Sequence, residues 1–232
     1  MVYIVEESNF KEHCNDKEVT MPGKGLFITF EGMDCSGKTT QMERLASWLR
    51  ERGHEVLCTR EPGGTPMAES IRSLLLARQD GEKVTSEAEL LLFGAARAQH
   101  VANLIAPFVA KGGIVLCDRF YDSTTAYQGY ARGLDLAFIQ KLNEFCCGEC
   151  RPDITFLFEL PLRESRHRLA ARQGVEAPDR LEEEDNSFHQ AVHDGFLKIA
   201  ERNPERIHVI DAMKSRDEVT AAIMEVLKDA IE

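Results

Sequence analysis

The sequence predicts an α/β fold built on a five-stranded, mainly parallel sheet flanked by helices. Three observations carry that expectation. Short β-branched and aromatic runs alternate along the chain with longer amphipathic stretches, a pattern that joins successive strands by right-handed helical crossovers. The 232 residues, 43% hydrophobic and 29% charged, sit near globular averages and can bury one sizeable core. Finally, no apolar run reaches the roughly 18–20 residues that a membrane span requires.

Taken in order, residues 1–24 are polar and mixed in charge, and read as an extension closed by Met21-Pro-Gly-Lys-Gly25. Order begins at Leu26–Glu31, a β-branched and aromatic strand bounded by glycines. Lys38–Arg52 follows as a helix, with Met42, Leu45, Trp48 and Leu49 at helical spacing and Gly53 as its stop. Glu55–Thr59 is the second strand, and the turn Arg60-Glu-Pro-Gly-Gly64 leads to a helix with Thr65 as N-cap and Pro66 at its first position. Ser86-Glu-Ala-Glu89 reads as a capping box that opens a helix reaching about Lys111, bent by Pro107. Ile114–Cys117 is the third strand. A polar helix, and another from about Leu134, precede the fourth strand, Ile154–Leu160. Helices flank an arginine-rich stretch at 166–180, and Arg206–Ile210 is the fifth strand. Ser215-Arg-Asp-Glu218 caps a last helix with Val219, Ile223, Val226 and Ala230 on one face. Residues 25–232 thus read as one domain.

With 28 basic and 39 acidic side chains the formal net charge is −11, a field that repels polyanions and argues against nucleic acid or an anionic membrane as partner. Seven cysteines, an odd number without the density of a secreted scaffold, and a start lacking a basic region and long apolar run point to a reducing cytoplasm. Any anionic ligand must be held by local chemistry.

Such chemistry stands at Gly32-Met33-Asp34-Cys35-Ser36-Gly37-Lys38-Thr39, which matches G-x-x-x-x-G-K-S/T between a strand and a helix. Backbone N–H groups of such a P-loop wrap phosphate at the positive end of a helix. Lys38 then reaches the β- and γ-phosphates, and the Thr39 hydroxyl ligates Mg²⁺. The loop specifies a nucleoside triphosphate but leaves GTPase, ATPase, kinase and regulatory switch open. Asp118 ends a buried strand, where a magnesium-orienting or base-like group belongs. Arg119 and Arg60, also at strand ends, suit bidentate capture of a second phosphate.

Five segments, in order, carry a resemblance: Phe30-Glu-Gly-Met-Asp-Cys-Ser-Gly-Lys-Thr-Thr-Gln41, Thr59-Arg-Glu-Pro-Gly-Gly-Thr65, Leu91-Leu-Phe-Gly-Ala-Ala-Arg-Ala-Gln-His100, Asp118-Arg-Phe-Tyr-Asp-Ser-Thr-Thr-Ala-Tyr-Gln-Gly129 and Asp179-Arg-Leu-Glu182. The chain resembles the bacterial thymidylate kinases, P-loop nucleoside-monophosphate kinases, over about residues 25–230. The resemblance implies ATP and Mg²⁺ as cofactors, the conversion of dTMP to dTDP and a homodimer. It also implies that Phe93 stacks on thymine, Arg97 donates to a thymine carbonyl, and Thr124, beside Ser123, meets the N3 edge. Tyr127 presses on the sugar where a ribose 2′-OH would project, Gln128 lines the same pocket, and Asp34 lies near the acceptor sugar and phosphate. Arg60 and Arg119 hold the acceptor phosphate.

The family supplies a catalytic arginine either from the P-loop or from the lid. Cys35, where relatives usually have glycine or alanine, leaves the lid (about 166–182), whose candidates are Arg166, Arg168, Arg172 and Arg180. Arg172, before Gln173-Gly174, is the expected arginine finger. Cys146, Cys147 and Cys150 with His189 and His193 offer a ligand count suited to structural zinc, but their spacing is unlike a standard finger and argues against a metal there.

Overall fold

The computed structural model describes residues 25–77, 83–172 and 179–231. The extension expected at 1–24 therefore lies outside the described residues. Five strands, β1 (Leu26–Gly32), β2 (Val56–Arg60), β3 (Ile114–Asp118), β4 (Ile154–Glu159) and β5 (Ile207–Asp211), form one sheet in the order β2-β3-β1-β4-β5. Among the described residues every pairing is parallel. Strand order reverses at β1, which places a crevice beyond its carboxyl end.

Period-two alternation feeds both faces of the sheet. Ile28, Phe30, Leu116, Phe156 and Phe158 point to one side, where α1 (Lys38–Glu51) brings Met42, Leu45 and Leu49. The last helix adds Val219 and Ile223 to the same cluster. On the other face Phe27, Val115 and Cys117 meet Val101, Ile105 and Phe120. Thr29 and Thr155, polar but fully buried, satisfy each other at 2.7 Å.

The helices between strands follow local signals, with five departures from the expectation. As expected, α2 (Pro66–Leu76) starts under Thr65, whose hydroxyl accepts from the Ala68 N–H. By contrast α3 (Ser86–His100) is capped by Thr85, which accepts from the Ala88 N–H at 3.2 Å, so the cap lies one residue before the expected box. The long helix also divides: a π-helical turn, Val101–Ile105, separates α3 from α4 (Ala106–Ala110). That irregular turn leads into Pro107, whose ring nitrogen has no N–H to donate back to it. The polar helix is a short α5 (Tyr121–Thr124) running into a second π-helical stretch, Thr125–Ala131. Asp135, accepting from Ala137 and Phe138 N–H, opens α6 (Leu136–Cys147) two residues later than expected. Finally α7 (Leu162–Arg172) runs into the arginine-rich stretch instead of only flanking it. Helices α8 (Asn186–Arg202) and α9 (Arg216–Ile231) complete the chain, and the Ser215–Glu218 box before α9 is present. The side chain of Ala230, expected on its apolar face, lies outside the described residues. Among the described residues no helix is long and apolar enough to cross a membrane.

Candidate active site

Parallel register brings the functional strand ends together. Asp118 lies beside Phe30 of β1 on one flank and beside Arg60 of β2 on the other. β1 ends at Gly32 (φ 132), where an added Cβ would stand 2.5 Å from the Phe158 carbonyl oxygen, so only glycine fits. The loop then turns through Cys35 (φ 58) and Gly37 (φ 95) into α1. Cys35, the departure from the family pattern, thus takes up a left-handed conformation that costs an L residue about 1–2 kcal/mol.

This loop has the fittings of a phosphate cradle. Lys38 is buried, and its ammonium donates to the carbonyls of Met33 at 2.8 Å and Gly32 at 3.2 Å. Burial and the nearby Arg119 hold its pKa below the ordinary lysine range, against the pull of Asp118, Asp34 and Glu31. Ser36 is 3% exposed and its hydroxyl has no hydrogen-bond partner among the described residues, an orphan that an anion would satisfy. Met33 faces inward against Tyr127 and Phe188. Thr39 donates to Asp118 Oδ2 at 2.9 Å. That pair supplies the hard oxygen donors that Mg²⁺ accepts.

The loop forms one wall of a cavity of about 270 Å³ that also contains Arg60, Phe93, Arg97, Arg119, Ser123, Thr124, Tyr127 and Gln128. All the expected acceptor residues therefore share one cleft with Lys38, Thr39 and Asp118. Arg119 (φ 65) spans the middle, with one nitrogen on Asp34 at 2.6 Å and another on the Ser123 hydroxyl at 3.1 Å. Burial raises the Asp34 pKa, but Arg119 and Lys38 more than offset that and hold the carboxyl below its usual range. Tyr127 places its ring 5.4 Å from the Arg119 guanidinium, and burial pushes its phenol pKa well up, so it stays neutral.

Arg97 is deeply buried for an arginine. It is 1% exposed, and its nitrogens donate to Glu61 at 2.8 Å, Asn143 at 2.9 Å and the Thr124 hydroxyl at 2.8 Å. Three of its five N–H groups are so engaged. Glu61, which also meets His100 at 3.2 Å, was not among the expected site residues, although it lies inside the matched Thr59–Thr65 segment. By spacing Glu89 belongs only to a cap. It is a buried hub that accepts from Gln128 at 2.8 Å and pairs with Arg132 and Arg180. Arg72 and Asp179 also line the cleft, unforeseen.

Three lid arginines hold chain to chain. Arg166 donates to the carbonyls of Glu182 and Glu184, Arg168 to Glu164 and the Ala212 carbonyl, and Arg180 to the Leu75 carbonyl. Arg172 is the last residue of α7, and its side chain, like residues 173–178 of the expected lid, lies outside the described residues. Among the described residues no three His, Cys, Asp or Glu side chains form a group that could hold a metal, those of Cys146, Cys147, Cys150, His189 and His193 included. Burial pushes the Cys147 thiol up to about 12 and the Cys150 thiol up to about 11. His193 lies instead against Glu159.

A family model described as thymidylate kinase matches residues 30–223. The chain is 49% identical over 210 residues to the thymidylate kinase of Syntrophotalea carbinolica, covering 89% of this chain and 96% of that one. It is 47% identical over 208 residues to a Pseudomonas putida thymidylate kinase, covering 90% and 97%. The crystal structure of thymidylate kinase from Ehrlichia chaffeensis superimposes with a TM-score of 0.71 at 39% identity, over 89% of this chain and all of that one.

Proposed function

The chain belongs to the thymidylate kinase family and phosphorylates dTMP to dTDP with ATP as donor, and from that premise we propose which residues perform the reaction. One observation carries the assignment: the P-loop with its Thr39–Asp118 contact and the Phe93–Arg97–Thr124–Tyr127 group face the same cavity. Residues 32–39 bind the ATP phosphates, with Lys38 turning from its loop carbonyls to the transferring group. Phe93 stacks on thymine, Arg97 and Thr124 read its polar edge, and Gln128 closes the pocket. Tyr127 excludes a 2′-hydroxyl. Arg60 and Arg119 hold the acceptor phosphate, with Asp34 and Ser123 fixing Arg119. An oxygen of that phosphate attacks the γ-phosphorus in line, the bond to the bridging β–γ oxygen breaks, and ADP leaves. The attacking phosphate is ionised near neutral pH, so positioning and charge neutralisation supply most of the catalysis. Arg172 brings a further positive charge once residues 166–182 close over ATP. We read residues 25–232 as one catalytic domain working in the cytoplasm.

Thr39 and Asp118 would hold Mg²⁺, which neutralises phosphate charge when bound. EDTA is expected to stop dTMP-dependent ADP release and added Mg²⁺ to restore it. Asp118→Asn is expected to raise the half-saturating Mg²⁺ concentration by about 10–100-fold. An unchanged requirement in the variant contradicts the assignment.

A homodimer through α3 and α6 is supported by apolar side chains that these two packed helices leave in solvent. Leu91 of α3 and Phe138 and Phe145 of α6 are exposed, Phe145 at 84%. Phe138 and Phe145, seven residues apart, share a face. Phe145→Arg is expected to sediment as a monomer at concentrations where the parent chain is dimeric. A variant that stays dimeric places the interface elsewhere.

A further inference from the structure

Glu31 is the penultimate residue of β1, immediately before the phosphate loop, and none of the steps above uses it. The residue is 1% exposed. One carboxylate oxygen accepts from the Phe120 N–H at 2.7 Å and the Ser123 N–H at 3.3 Å, and the other accepts from the Ser123 hydroxyl at 2.6 Å. A side chain from a neighbouring strand thus caps α5, whose own cap residue, Phe120, has no side-chain oxygen to offer. The contacts continue toward the cleft, because Ser123 accepts from Arg119, which reaches Asp34. Arg119 itself sits at φ 65, a left-handed conformation that an L residue keeps only when its surroundings hold it. They do so on both sides: its N–H donates to the Phe30 carbonyl at 2.9 Å, and the next N–H donates to Glu31.

We propose that Glu31 is a positioning residue for phosphoryl transfer, fixing the Phe120 backbone and the Ser123 hydroxyl so that Arg119 is held on the acceptor phosphate. The hydroxyl has a single proton. Given to the carboxylate, it leaves oxygen lone pairs for Arg119. An amide nitrogen in place of that oxygen donates to the same hydroxyl, so the hydroxyl proton must turn away and compete with the guanidinium. The proposal rests on Arg119 contacting the acceptor, as assigned above.

Charged and titratable groups surround Glu31 from every side: Asp122 on α5, Arg119 after β3, Cys117 on β3, Lys38 on α1, Tyr127 and Arg206. Burial and Asp122 push the Glu31 pKa up to about 8, against the pull of Ser123, Arg119 and the Phe120 N–H. The acceptor-only carboxylate therefore gains on the protonated acid between pH 7 and 9. Glutamine imitates the protonated acid, so the advantage of the native residue should grow over that range.

The test is a double-mutant cycle of Glu31→Gln and Arg119→Ala, with kcat and KM for both nucleotides at pH 7 and 9. At pH 9 Glu31→Gln is expected to lower kcat/KM for dTMP about tenfold and to leave KM for ATP within about twofold. The deficit is expected to shrink at pH 7, and at pH 9 to fall below about twofold when Arg119 is already alanine. The proposal is overturned by equal losses in both backgrounds, by a loss on the ATP side alone, by full activity of Glu31→Gln at pH 9, or by a deficit independent of pH. Full activity of Arg119→Ala alone overturns the Arg119 assignment and the proposal with it. Should Glu31→Gln not fold, Ser123→Ala carries the same cycle, with the same dTMP-side loss expected and the same dependence on Arg119.

Discussion

Lys38→Ala lowers kcat for dTMP phosphorylation by about 10²–10³-fold, the range seen when one preorganised donor to a transition-state oxyanion is removed. The ammonium is placed for this role by its position at the first turn of α1, against the carbonyls of Gly32 and Met33. Those two bonds cost little to exchange for phosphate oxygens, because all are donations from the same group. Burial and Arg119, which lower the Lys38 pKa, also mean that the charge is poorly solvated before ATP arrives and gains from meeting it. Lys38→Arg should rescue poorly, since a planar fork does not fit where a compact ammonium fits. Arg172→Ala should behave differently from a binding defect, lowering kcat and kcat/KM together, because its contact forms only on closure. Steady-state kinetics on folded variants, checked by circular dichroism, settle both. A Lys38→Ala enzyme with near-native kcat contradicts the mechanism.

What could be read from the sequence, and what could not, follows the range of the interactions involved. β1, β3 and β4 were legible because runs such as Phe27-Ile-Thr-Phe30 alternate between two buried faces. The phosphate loop was legible because its glycines and Lys38 are adjacent in the chain. The π-helical turns at 101–105 and 125–131 leave no such mark, since a few residues of wider winding barely disturb a helical apolar pattern. Thr85 is masked as a cap because Ser86 and Glu89 satisfy the capping-box spacing one residue later, while Glu89 is drawn inward by Gln128, Arg132 and Arg180. Its nearest partner among these lies 39 residues away, and no local pattern encodes it. Glu61 and Arg97, 36 residues apart, present the same difficulty. Each is an ordinary surface residue by type, and only pairing makes its burial tolerable.

The base pocket predicts discrimination of dTMP over dCMP by about 10⁴-fold in kcat/KM, the scale on which a site built around hydrogen bonds rejects a ligand lacking them. Thymine offers a carbonyl acceptor at C4 and a donor at N3, and cytosine reverses both. Arg97 is positively charged and can only donate, and its burial with Glu61 and Asn143 leaves it no room to turn from a mismatched amino group. The Thr124 hydroxyl, already accepting from Arg97, keeps lone-pair capacity for the thymine N3–H. dUMP lacks only the methyl group and should fall by about 10–200-fold at most. Truncating Arg97 is a poor probe of this reading, because an uncompensated buried Glu61 costs about 3–5 kcal/mol of stability. The intact enzyme gives the cleaner answer. The direct measurement is kcat/KM from coupled ADP release with dTMP, dUMP and dCMP at fixed ATP and Mg²⁺. The structure predicts dTMP first, dUMP within about 200-fold of it and dCMP lower by about 10⁴-fold; comparable values for dTMP and dCMP would contradict a base-reading role for Arg97 and Thr124.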